Sequence, residues 1–140
     1  MIKKILSPDV ISVDLAALML RLTFCGLMIF NHAFIKLTLF GESPESFPDP
    51  VGVGASTSFY LVIFAEIICA SLVLIGLFTR LALVPLLATM AVALFKVQWA
   101  NELTDKELPL LYLAVWVALM LLGPGRWSVD WRILRTDTGR

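Results

Sequence analysis

Glu66 is the one carboxylate in YLVIFAEIICASLVLIG (residues 60–76), a run otherwise apolar, small or hydroxylic. A carboxylate in the middle of such a run is costly unless a cation or a hydrogen-bond donor meets it. Upstream, LRLTFCGLMIFNHAFIKL (residues 20–37) holds Arg21, Cys25, Asn31, His32 and Lys36. Positions 21, 25, 28, 32 and 36 step by four, three, four and four, which draws one stripe along a helix of about 3.6 residues per turn. Lys96 stands three residues before Trp99. A carboxylate, an imidazole and one or two ammonium groups, once together, have two uses. Glu66 and His32 can exchange a proton with each other or with a bound molecule, which makes them candidate catalytic residues. Alternatively, Glu66 and a lysine make a buried ion pair that clasps two helices. The residue types leave both open.

The elements that must position these groups can be read from composition. Of the 140 residues 59% are hydrophobic and 16% charged, with a mean hydropathy of +0.90; soluble domains sit near about 45–50% apolar and about 25% charged. The excess falls in four blocks, about 13–39, 57–79, 81–99 and 108–123. Each can supply roughly the 17–25 residues that cross a hydrocarbon core of ~30 Å. The pattern predicts an all-α fold: an integral membrane four-helix bundle, one domain over 1–140, with a cytoplasmic tail over 124–140. The first apolar stretch is too long for a cleaved signal and reads as a retained helix. Ser12 is a candidate N-cap. Gly41, Pro44, Pro48 and Pro50 break the first helix. The long loop after it is either a fixed structure over the bundle mouth, anchored by its prolines and Phe47, or disordered. Thr79-Arg80 reads as a tight turn between antiparallel neighbours, and Gly123-Pro124-Gly125 as the stop of the fourth helix. Phe59, Tyr60, Trp99 and Trp127 fit interfacial aromatic belts. Cys25 and Cys69 come out at similar depth with no CxxC, and read as small packing residues.

Charge sets the orientation. Lys3, Lys4, Arg80, Arg126, Arg132, Arg135 and Arg140 fall on one side, against Lys106 on the other, so both termini are expected in the cytoplasm (N-in, C-in). The loop between helices one and two, with Glu42, Glu45 and Asp49, then lies outside. Glu66 comes ~12 Å in from Ser58, near the midplane. His32 and Lys36 lie in the outer half of helix one and Lys96 in the outer part of helix three. Glu66 is therefore expected at the inner end of a polar cluster with His32, Lys36 and Lys96 that opens outward. Arg21 and Lys36 have snorkelling to the headgroups as their alternative. Tyr112 and Trp116, four apart on helix four, either line this cluster or pack the core.

Taken in order, residues 20–37, FPDPVGVG (47–54), FAEIICASLVLIGLFTRLA (64–82), MAVALF (90–95) and LLGPGRWSVD (121–130) resemble the DoxX family of small bacterial and archaeal membrane proteins. The resemblance spans nearly the whole chain and implies a four-helix fold in the cytoplasmic membrane. Some family members are membrane subunits of a thiosulfate:quinone oxidoreductase; others are linked to soluble redox enzymes. Arg21, His32, Lys36, Glu66, Arg80 and the Gly123–Asp130 segment match the family pattern by position. In that segment Gly123 and Gly125 permit a sharp exit, Arg126 meets headgroups, Trp127 anchors at the interface, and Asp130 pairs with Arg126 or Arg80.

Three functions compete. The first is a quinone-interacting redox subunit. His32 and Glu66 exchange protons, and Lys36, Lys96, Arg21, Tyr112 and Trp116 contact the quinone. One histidine and two separated cysteines make haem, a metal site or an iron–sulfur cluster unexpected, so electrons come from a partner or a soluble donor. The second is a non-catalytic anchor that recruits a soluble redox enzyme. The third is a small-solute permeability component, ranked last for want of an inverted repeat or a broken helix. The bilayer is the expected partner, a homo-oligomer is open, and no nucleic-acid partner is expected.

Overall fold

The computed structural model describes residues 12–137; Lys3, Lys4 and Arg140, which entered the charge count, lie outside them. Helix α1 runs Val13–Phe40, α2 Ala55–Ile75 and α3 Thr79–Val97. Helix α4 runs Leu103–Leu122 and α5 Val129–Asp137. The described residues contain no strand. Helices α1, α2 and α3 are each long and apolar enough to cross a membrane. Each of the first four helices packs on the next, and α4 returns to α1. All four contribute to one core, with Cys25 and Met28 from α1, Val73 from α2, Leu86 from α3 and Trp116 from α4. The outer surface is as apolar as that core: Phe30, Tyr60, Leu81 and Leu121 stand exposed. An apolar exterior suits a solvent that is itself hydrocarbon, where only fully hydrogen-bonded backbone survives.

Local sequence explains the ends. The Ser12 hydroxyl accepts from the Leu15 N–H at 3.2 Å, capping α1 as expected. Gly76, at φ +75°, ends α2 in the left-handed conformation, and the Leu77 N–H closes the turn onto the Leu72 carbonyl at 2.9 Å. The turn is therefore Gly76–Phe78, and Thr79 and Arg80, expected in the turn, begin α3. Helix α4 starts at Leu103 rather than near 108, because Thr104 to Glu107 form its first turns. The tail, expected as a plain surface segment, folds into α5.

The loop between α1 and α2 is fixed, not disordered. Asp49 gathers it: its carboxylate accepts from the N–H groups of Gly52, Val53 and Gly54 at 3.0, 3.1 and 2.7 Å. The Ser58 hydroxyl donates to it at 2.7 Å. These donors hold the Asp49 carboxyl below the usual carboxylate range, the Ser58 hydroxyl first among them. Phe47 packs edge-on against Phe40 and Phe59, with ring centroids 5.3 and 5.5 Å apart. Phe59 is thus a buried core residue rather than a member of an aromatic belt, whereas Tyr60, Trp99 and Trp127 are exposed.

Four stretches of the long helices widen into π turns: Arg21–Cys25, Met28–Ala33, Phe64–Cys69 and Ala93–Val97. In the last of these the Gln98 N–H reaches the Ala93 carbonyl at 2.9 Å, a five-residue span. Such turns carry an extra residue and recur at functional sites. Here they hold Arg21, His32, Glu66 and Lys96.

Candidate functional site

The wholly buried line of α1 runs Ala17, Arg21, Cys25, Met28, Ala33. Its last step is five residues, across the π turn, so Ala33 takes the position that a regular helix gives to His32. His32 is left at the edge of the line, half-buried, with Lys36 half-buried one turn further.

Across from them Glu66 is 1% exposed and its Oε1 accepts from the Lys36 ammonium. The Lys36 side chain remains 27% exposed, so the pair is not sealed on the lysine side. The second Glu66 oxygen, Oε2, has no hydrogen-bond partner among the described residues, nor has the buried Oε1 of Gln98. Both residues line a cavity of about 350 Å³ together with Lys36, His32, Asp105 and Tyr112. Phe40 and the loop residues Phe47, Pro48 and Pro50 form its roof. The size falls in the range of about 300–1,000 Å³ usual for small-molecule sites, and a mainly apolar wall with a few convergent polar groups is their usual chemistry. Tyr112 meets the imidazole edge to face at 5.4 Å and lies tilted against Trp116 at 5.7 Å.

Not every expected group joins. Lys96, expected in the cluster, is exposed and is no part of the cavity wall; it lies in a π turn that directs it away. Trp116 is fully buried beneath Tyr112 as core, with its Nε1 unpartnered among the described residues. Gln98 and Asp105, which sequence reasoning passed over, do line the cavity; their place just beyond α3 and at the start of α4 was the available signal.

Arg21 lies at the opposite end of the bundle and serves another purpose. It is 0% exposed. Its guanidinium donates to the Trp127 carbonyl at 2.9 Å and to the Leu74 carbonyl at 3.4 Å. Leu74 lies in the last turn of α2, where the helix dipole is negative. A Cβ at Gly76 would run into Arg21 Nη1 and Ser128, so glycine is required there by space as well as by φ. Asp130, expected to pair with Arg126 or Arg80, instead caps α3. Its carboxylate accepts from the Phe78 N–H at 2.7 Å, the Thr79 N–H at 2.9 Å and the Thr79 hydroxyl at 2.8 Å. Arg126 meets Asp14, through its side chain at 3.4 Å and its own N–H at 2.9 Å. Gly123 and Gly125 adopt positive φ, +78° and +74°, and turn the chain so that these contacts form. Arg80 and Trp127 are exposed. The Arg21 end is thus held by carbonyls of the chain itself, with Nε left unpartnered among the described residues, while the Lys36–Glu66 end lines a cavity.

The DoxX family model matches residues 16–99, more than half of the chain, including Arg21, His32, Lys36 and Glu66. The chain is similar to the uncharacterized membrane protein Rv3486 of Mycobacterium tuberculosis, 36% identical over 104 residues. That alignment covers 63% of this chain and 63% of the relative. No solved structure matches.

Proposed function

Because the chain belongs to the DoxX family, we propose that it is a multi-pass protein of the cytoplasmic membrane that binds a lipid-soluble quinone at the Lys36–Glu66 cavity. The observation that carries this reading is the cavity itself: an ion pair with one carboxylate oxygen to spare, beside an imidazole, in an otherwise apolar bundle. A quinone offers two carbonyl acceptors; Lys36 and His32 are the donors to them. A quinol offers hydroxyl donors; the free Glu66 oxygen is the acceptor. Reduction of a quinone takes two electrons and two protons. In this reading Glu66 and His32 exchange the protons, and a soluble redox partner at the membrane surface supplies the electrons.

Under the same proposal α4 is a fourth span. Its apolar part, 108–122, is ~22 Å long, with Asp105, Lys106 and Glu107 at the headgroups. Both termini are cytoplasmic, as the Lys and Arg count requires, and the cavity opens to the outer side. The direct Lys36–Glu66 ion pair also favours a second reading, in which the pair is a structural clasp and the protein an anchor for a soluble enzyme.

Titration of the purified protein in mild detergent with menaquinone and ubiquinone analogues separates the two, with Glu66→Gln alongside. Saturable binding that weakens about tenfold in the variant is the expected result. No binding by folded wild-type protein refutes the quinone site and leaves the clasp.

A further inference from the structure

A second cavity adjoins the first. It is a groove of about 320 Å³ between α2 and α3, and it shares Phe47, Pro50, Val62, Thr89 and Val92 with the Lys36–Glu66 cavity. Its remaining wall is Leu61, Phe64 and Ala65 of α2, Pro85 and Ala88 of α3, with Val51 and Ser58 above. Leu61, Phe64 and Val51 are exposed, so the groove faces the hydrocarbon around the bundle.

The groove has two side-chain hydroxyls, and both are already engaged. Ser58 donates to Asp49 at 2.7 Å and Thr89 to the Leu86 carbonyl at 2.9 Å. A ligand seated there meets satisfied polar groups and bare apolar surface, the reverse of the neighbouring cavity with its unpartnered Glu66 and Gln98 oxygens. One compartment asks for hydrogen-bonding atoms and the other for hydrocarbon. Only Val62, Thr89 and Val92 and the roof residues Phe47 and Pro50 stand between them.

We propose that the α2–α3 groove seats the prenyl chain of the ligand whose ring occupies the Lys36–Glu66 cavity, and that the ligand enters sideways from the bilayer between these two helices. The inference rests on the quinone reading above and adds the class of ligand: a ring with an attached apolar chain, rather than a small polar solute arriving through the loop. Since the chain leaves one hydrocarbon phase for another, its seat gives little hydrophobic gain. Its contribution is shape, and a bulky group in the groove is the direct way to remove it.

Ala88 is exposed on the groove wall, so a larger residue there disturbs no core. Binding of a ubiquinone analogue carrying a prenyl chain and of its chain-free counterpart is measured on wild type, Ala88→Trp and Leu61→Trp, which block the groove from either side. The expected result is a loss of about tenfold or more for the chain-bearing ligand in both variants, with the chain-free ligand unchanged. A chain-bearing ligand indifferent to both plugs overturns the inference and assigns the groove to ordinary lipid chains. Equal weakening of both ligands by both plugs also overturns it, because the plugs then act on the ring cavity. Failure of both ligands to bind wild type refutes the quinone reading itself, a distinct outcome.

Discussion

Replacing Asp130 tests the tail-end architecture most sharply, because sequence and structure assign this carboxylate different partners. Three donors converge on it: the Phe78 N–H, the Thr79 N–H and the Thr79 hydroxyl. Phe78 is exposed, so after Asp130→Ala water takes over its N–H at small cost. Thr79 is 1% exposed, and its N–H and hydroxyl are left unpaired away from water. A buried group so orphaned costs about 1–3 kcal/mol, and loss of a helix N-cap about 0.5–2 kcal/mol, two views of the same contacts that overlap. The expected destabilisation is about 2–3 kcal/mol. At roughly 3–4 °C per kcal/mol for a chain of this size, the unfolding midpoint drops by about 6–12 °C. Asp130→Asn, which keeps one acceptor oxygen, should fall between. The control is Arg126→Ala. Its partner is Asp14 at 3.4 Å, with side chains 72% and 34% exposed, and its backbone bond to Asp14 survives the change. Such a surface pair contributes about 0–1 kcal/mol before solvent screening lowers it, so the midpoint should move by less than about 2 °C. Thermal unfolding in one detergent, followed by tryptophan fluorescence, measures all three variants. Comparable small shifts for Asp130→Ala and Arg126→Ala would refute the cap and restore the ion pair expected from charge alone.

At the other end, Lys36→Met should destabilise more than Glu66→Gln. The first strands a carboxylate that is 1% exposed, at about 3–5 kcal/mol, whereas the second leaves a lysine whose side chain is 27% exposed. The double variant should recover most of the loss in a denaturation cycle; additive effects would mean that the pair is uncoupled. The loop between α1 and α2 should loosen in acid. The folded-state carboxyl of Asp49 titrates below its ordinary value of about 3.9. The ordering it provides is thus complete above that value and lost as the pH falls through the depressed one. The amide resonances of Gly52, Val53 and Gly54 report it, and persistence of their pH response in Asp49→Asn would exclude Asp49 as its source.

How far the sequence led depended on which physical rule each residue obeys. Glu66 and Lys36 were legible because a charge in an apolar run must find a partner, and a stripe with helical spacing says which face carries it. The helix start at Ser12 was legible from capping chemistry, whereas the end at Gly76 was placed some three residues too late, at the Thr79-Arg80 turn. Lys96 was misplaced because depth can be had by counting residues, whereas azimuth does not survive a π turn. The added residue in Ala93–Val97 rotates the side chains beyond it, and hydrophobic spacing carries no mark of that turn. The five-residue step from Met28 to Ala33 likewise moves His32 to the edge of the buried line. Asp130 was misassigned for another reason. A count of charges offers a carboxylate only arginines as partners, while the N–H groups that open a helix compete on equal terms and are invisible to such a count.

The two buried charges of the bundle show why one end reads as a site and the other as structure. Arg21 and Glu66 are about equally excluded from solvent, and each must be compensated. Arg21 is met by carbonyls of Leu74 and Trp127, the second brought there by a turn that needs Gly76, Gly123 and Gly125. Chain, not ligand, fills its surroundings, and a Cβ at Gly76 already has no room. Glu66 is met by one lysine, keeps an oxygen without a partner, and borders open volume beneath a loop fixed by Asp49. Each charge keeps one unpartnered atom among the described residues, Arg21 Nε and Glu66 Oε2, but Glu66 lines an open cavity beside a second, mainly apolar groove. That open volume, next to an unpartnered carboxylate oxygen, is what the proposed ligand, with its polar head and hydrocarbon chain, would fill.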